Sequence, residues 1–193
     1  MTILGFNRKE ITALAIILGV IGTVTFANLQ VSMRRGRDLQ RKNDIRTIHD
    51  ALIEHQKDES SFPPSFQGKI VACFGSVDEN VIPQRVPCDW HRDGLPNIFK
   101  DVVYLENLPT DPEHNSGARY YYISNGRYFQ IYAALEGADE PEYDEGIVAR
   151  NIMCGNRVCN FGRGFSETPL DKSIEEYENE LRELNERLKN GTN

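Results

Sequence analysis

Between Ile11 and Met33 the chain carries no charged residue, and between Arg34 and Asp58 it has no proline. It also has no G-x-S-x-G elbow, no H-E-x-x-H pair and no glycine-rich phosphate loop, which removes the common routes to acyl transfer, zinc hydrolysis and nucleotide chemistry. What is left for catalysis is His91 beside Asp89 and Asp93 in "CDWHRD", with Ser60, Ser61 or Ser65 as imaginable nucleophiles. That is too little, and the chain is not read as an enzyme. A formal net charge of -7 argues against nucleic acid as a partner of the whole surface. No cysteine precedes Cys73. The four that exist form two close sequence pairs, Cys73 with Cys88 and Cys154 with Cys159, which suggests two disulfides in an oxidising space. Free buried thiols and a metal site are the alternatives, the second disfavoured because C-x4-C is not zinc spacing.

The uncharged run is itself the main positive signal. Its 23 residues would span about 34 Å as helix, against a bilayer hydrocarbon thickness of roughly 30 Å. It exceeds the apolar core of a signal peptide, about 7 to 15 residues, and flows into a polar helical pattern, so it predicts a retained membrane helix. Beyond it, "RRGRDLQRKNDIRTIHDALIEHQKD" places Ile45, Ile48, Leu52 and Ile53 on one helical face. A single helix from Arg8 to Lys57, about 75 Å long, is expected. "SSFPPS" ends it, because Pro63 and Pro64 donate no backbone hydrogen bond and Phe62 is pushed to extended geometry. His49 and His55, six residues apart, fall on different faces and predict no shared metal.

Further on, "GKIVACFG" predicts a strand and "LPNIFKDVVYLENLPTDP" a short helix or loop. "YYYISNGRYFQIYAAL" predicts a β-hairpin with Asn125-Gly126 as a type I' turn. Six carboxylates crowd Glu136 to Glu145 without one basic residue. A solvated loop is the preferred reading, with calcium the alternative and Asp139, Glu140, Asp144 and Glu145 its candidate ligands; no other cofactor is expected. In "TPLD", Thr168 is expected to cap a last helix with Pro169 in its first turn and Asp171 at its positive end. Leu170, Ile174, Tyr177, Leu181, Leu184 and Leu188 then follow heptad spacing. The stripe predicts a coiled-coil seam, or an amphipathic helix packed on its own domain. Asn190-Gly-Thr192 matches a glycosylation sequon at a frayed terminus.

Gly5-Phe6, with Glu10 the fifth residue after that junction and the apolar run beyond, resembles the class III signal of type IV pilins and of the pseudopilins of type II secretion systems. The stem "RRGRDLQRKNDIRTIHDALIEHQKDESSFP" and "LPTDP" before a Tyr-rich hairpin ending "YAALE" are similar to the same family. The resemblance implies cleavage after Gly5 by a prepilin peptidase, Phe6 as an N-methylated mature terminus, and Glu10 as the assembly glutamate that meets the Phe6 amine of a neighbour. It implies an α+β fold, a long N-terminal helix packed on a small antiparallel β-sheet head, here with an extra C-terminal amphipathic helix. Asn7, Arg8 and Lys9 stand where the family usually has apolar residues, and the leader "MTIL" lacks its usual basic residues. Arg34, Arg35, Arg37, Arg41 and Lys42 beyond the run outnumber Arg8 and Lys9, so the positive-inside rule alone would orient the anchor backwards; the outward cysteines and the family likeness overrule it.

The expected organisation is a leader at 1–5, a transmembrane segment at 6–33, a stem at 34–57, an extracytoplasmic head at 58–167 and a C-terminal helix at 168–193. The expected protein is a structural subunit of a pilus or secretion filament, held in the inner membrane with its head outside the cytoplasm. Its implied partners are related pilin subunits, the peptidase, an assembly platform and lipid. The competing reading is an uncleaved single-pass protein with an outward binding or sensing domain.

Overall fold

In a computed structural model, helix α1 runs without interruption over Arg8–Glu59. The structure describes residues 8–74, 84–97, 100 and 102–191. Two compact units divide the chain, Met1–Leu39 and Gln40–Asn193. In the first unit, α1 is long and apolar enough to cross a membrane and none of its apolar window is buried. Leu14, Ile17, Leu18, Val24 and Phe26 are each more than half exposed. Within the run, Thr23 Oγ1 donates to Gly19 O at 2.8 Å, which satisfies a hydroxyl that lipid could not.

The second unit opens with the other half of α1. Ile45, Ile48, Ala51, Leu52 and His55 are buried at helical spacing. The helix stops at Ser60, whose φ of 59° breaks the register. Phe62 then turns inward, giving its N–H to Gly126 O at 2.8 Å and its ring edge to Phe129 at 4.7 Å.

Among the described residues all strand pairs are antiparallel. β1 (Ser65–Phe66), β2 (Lys69–Phe74) and β3 (Arg85–Pro87) form one sheet in the order β1-β2-β3. β4 (Leu95–Asn97) pairs with β5 (Val102–Leu105). β6 (Tyr121–Ser124), β7 (Phe129–Ala133) and β10 (Phe161–Gly164) make a sheet in the order β10-β7-β6, and β8 (Met153–Cys154) pairs with β9 (Arg157–Val158). Every residue of β7 is buried. Phe129, Ile131 and Ala133 belong to the core shared with Ile45, Ile48 and Leu52, whereas Tyr132 joins a second cluster with Ala134, Ile147, Cys154 and Cys159. On that second side Gln130 Nε2 donates to the carbonyls of Pro169 and Lys172 at 2.5 and 2.8 Å, and Tyr132 OH to that of Leu170 at 3.1 Å. The central strand is therefore roofed by α1 on one face and by the 168–172 segment on the other. Disulfides join Cys73 to Cys88 and Cys154 to Cys159.

Four local expectations are corrected. Within the 95–112 stretch, residues 95–97 and 102–105 are not helix or loop but the β4–β5 pair, while 106–112 are irregular as expected; β-branched Val102 and Val103 favour the extended chain. The hairpin turn is not type I': Ser124 opposes Phe129, leaving four residues between the strands, and only Gly126 takes positive φ, at 86°. Asn125 instead accepts the N–H groups of Arg127 and Tyr128 on its Oδ1 at 3.1 and 2.9 Å, an Asx-type turn. The last helix, α3, spans Ile174–Gly191 and does not start at Thr168. Its cap is Ser173 with Glu176: Glu176 N–H donates to Ser173 Oγ at 3.1 Å and Ser173 N–H to Glu176 Oε2 at 2.7 Å. Thr168 Oγ1 closes a turn on Phe165 O at 2.5 Å. Finally, the acidic segment is not simply solvated; Glu136, Glu140 and Glu142 are ion-paired, as described next.

Candidate assembly surfaces

Glu10 lies in the first turn of α1 and is exposed. Gly5 and Phe6, the expected processing residues, lie outside the described residues. The apolar side chains that follow Glu10 form an all-round hydrophobic surface, which calls for lipid or other helices as solvent.

The head is fastened to the stem half of α1 by an ion cluster that joins residues far apart in sequence. Arg41 is fully buried. Its Nε and Nη2 hold the two oxygens of Asp111 at 2.8 and 3.0 Å, Nη1 donates to Glu136 at 2.6 Å and Nη2 to Glu113 at 3.2 Å. Arg157 adds a bond to Glu113 at 2.5 Å. One guanidinium thus satisfies a fork of carboxylates, geometry an ammonium cannot reproduce. Asp111 sits in the "LPTDP" stretch, where it also accepts Glu113 N–H at 2.8 Å. At the next residue of the stem, Lys42 Nζ donates to Glu140 and Glu142 at 2.6 and 2.5 Å. Burial pulls the Lys42 pKa down, but the bonds and charges of Glu140 and Glu142 outweigh it, and the net shift is upward. The bond from Lys42 holds Glu142 below the usual carboxylate range. Tyr120 OH donates to Asp44 at 2.6 Å; burial raises the pKa of both, with Asp44 adding to the shift of Tyr120.

From the sequence, Arg41 and Lys42 read as part of the basic cluster beyond the apolar run and the 136–145 carboxylates as a solvated loop, with no pairing between the two. The available signal was complementarity: a basic run and an acidic run that must share one small domain. Of the four candidate calcium ligands, Asp144 caps α2 (Glu145–Ala149) by accepting Gly146 N–H at 2.8 Å, Glu145 opens that helix, Glu140 holds Lys42 and Asp139 is exposed. Among the described residues no three His, Cys, Asp or Glu side chains are grouped to hold a metal ion.

The "CDWHRD" residues build a turn. Asp93 accepts the Asp89 N–H at 2.6 Å, and Asp89 pairs with Lys69 at 2.6 Å and with Arg92; the bond from Lys69 depresses the Asp89 pKa. His91 stacks on His114 with centroids 6.0 Å apart, at the edge of an open cleft of about 590 Å³. Ser65 Oγ is tied to the hairpin, accepting Ser124 N–H at 3.1 Å. His49 packs on Phe129 at 5.5 Å, and His55 shares a 3.2 Å hydrogen bond with Ser61 O and lies against Tyr104, so the two imidazoles do separate work.

An exposed apolar N-terminal helix whose second half is the spine of a head of small antiparallel sheets defines a pilin-like protein. Relatives narrow the class. The chain is 27% identical over 166 residues to type II secretion system core protein G of Dickeya chrysanthemi, covering 86% of this chain and 96% of that protein. It is 26% identical over 145 residues to type II secretion system core protein G of Vibrio cholerae serotype O1, covering 75% of this chain and 87% of that one. No family model and no solved structure matches the chain. In sequence the chain is thus similar to secretion-system core proteins over most of its length, and its fold is pilin-like.

Proposed function

We propose that the chain is a structural subunit of a type II secretion-like filament, held in the inner membrane by the 6–33 segment until a prepilin peptidase cuts between Gly5 and Phe6, then stacked by its N-terminal helices on a membrane assembly platform. The observation that carries this reading is the uninterrupted, wholly exposed apolar surface of α1 beyond Glu10, joined to relatives named for a secretion system. The chemistry is assembly rather than turnover. The head stands outside the cytoplasm, where its two disulfides persist.

Glu10 supplies the register. A carboxylate in a membrane helix costs on the order of 2.5 to 3.5 kcal/mol by insertion scales, so it is retained with a partner or a use. At about 4 Å and an effective dielectric near 20, attraction to the Phe6 amine of a neighbouring subunit is roughly 4 kcal/mol before desolvation. Glu10→Gln should leave cleavage and membrane insertion normal and abolish filaments; a Gln variant that assembles like the parent defeats the intersubunit role. Arg8 and Lys9 favour a second reading, an uncleaved sensor, and mass spectrometry of the membrane-extracted protein separates the two. An intact residue 1–193 chain in cells with an active peptidase supports the sensor.

A further inference from the structure

The C-terminal helix is only half used by its own domain. Ile174 is buried, Tyr177 packs edge-on to Tyr128 at 5.4 Å, and Leu181 lies in a shallow groove beside Arg127 and Tyr128. The apolar stripe then continues for two more heptad positions away from the head, with Leu184 and Leu188 53% and 62% exposed. Isolated helical segments of this length are marginal in water, so a stripe that outruns its own domain calls for a second apolar surface.

The charges say which surface. From Ile174 to Leu181 the helix carries Glu175, Glu176, Glu178 and Glu180 and no basic residue. From Arg182 to Gly191 it carries Arg182, Arg187 and Lys189 against Glu183 and Glu186. A parallel pair of α3 helices would lay four carboxylates against four; an antiparallel pair lays the acidic half on the basic half. With Ile174 and Leu181 at a positions and Tyr177 and Leu184 at d positions, Leu181 of each copy meets Leu184 of the other. Glu180 and Arg187 both fall at g, where an antiparallel pair brings them together twice across the two-fold axis.

We propose that α3 is a homodimerisation element: two copies of this chain pair through antiparallel α3 helices centred on Leu181 and Leu184. Such a contact is isologous and closes on itself, whereas a filament grows by heterologous contacts. Resting on the filament reading for its setting, the α3 pair therefore belongs to unassembled subunits in the membrane and must open before they stack.

The test uses the full chain in detergent and reconstituted in phospholipid vesicles, its mass read by sedimentation and its proximity by thiol crosslinking. A disulfide should form when a Leu181→Cys chain is mixed with a Leu184→Cys chain, and Leu184→Asp, at an exposed position, should abolish the dimer. Glu180→Arg alone and Arg187→Glu alone should each weaken dimerisation by about tenfold or more, and the double exchange should restore it. Because Glu180 also binds Lys172 at 2.8 Å, Lys172→Ala serves as the control and should leave the dimer intact. A monomeric parent chain, or a dimer that survives Leu184→Asp, overturns the proposal. So does a double exchange that fails to rescue, as expected of a parallel pair. None of these readouts depends on secretion, so failure here is distinct from failure of the filament reading.

Discussion

Arg41→Ala is the most informative single change in the head. The guanidinium is fully buried and its main partner, Asp111, has a side chain only 1% exposed. Truncation removes the bidentate bond, the 2.6 Å bond to Glu136 and the 3.2 Å bond to Glu113. Asp111 keeps a backbone donor, the Glu113 N–H, and Glu136 and Glu113 keep Arg157 among their partners, at 4.0 and 2.5 Å. Removing one partner of a buried ion pair costs about 3–5 kcal/mol, because the remaining charge stays buried without compensation. For a domain of this size, about 2–4 °C of melting temperature accompanies each kcal/mol, so a fall of roughly 6–20 °C is expected. Arg41→Lys keeps the charge but loses the fork, and should fall between parent and alanine variant. The assay is thermal unfolding of the full chain in detergent, followed by near-ultraviolet circular dichroism of the head's tyrosines. Since buried pairs are poorly screened, the loss should persist at high salt. An alanine variant within about 1 kcal/mol of the parent, or a loss that vanishes in 1 M salt, refutes the claim that this cluster fastens stem to head.

His55 gives a pH test. Burial lowers its pKa from the ordinary 6.5, with Glu59 opposing the shift. The folded head therefore prefers the neutral ring, and the stability tied to it is complete above pH 6.5 and declines as pH falls below that value toward the folded pKa. His55→Gln should flatten the head's stability profile between pH 7 and pH 5; an unchanged slope in chemical denaturation defeats this assignment. Replacing both Cys73 and Cys88 by Ala should cost about 3 kcal/mol on the chain-entropy account, since they close a 15-residue loop. The same change at Cys154 and Cys159, five residues apart, should cost less, and equal losses in urea titrations would contradict loop length as the cause.

The sequence by itself determined the exposed apolar segment, the run of α1 and the type of its strongest strands. Those signals are local: the uncharged stretch from Ile11 to Met33, the i, i+3, i+7 spacing of Ile45, Ile48 and Leu52, and the alternating aromatics of β6 and β7 each act through residues close in the chain. It also determined the family likeness, carried by the order of Gly5, Phe6, Glu10 and the apolar run.

Tertiary structure decided the rest. The turn after Ser124 was misread because an Asn-Gly pair fits several loops, and the opposition of Ser124 and Phe129 selects among them. The start of α3 was misplaced because Thr168 and Ser173 are both competent caps; the carbonyls of Pro169, Leu170 and Lys172 are taken by Gln130 and Tyr132, which holds that segment as a strap and leaves Ser173 to begin the helix. The cluster around Arg41 was invisible for a related reason. Its carboxylates lie 70 to 95 residues away, and a charge in a sequence does not say whether it meets water, lipid or an opposite charge until the chain has closed around it.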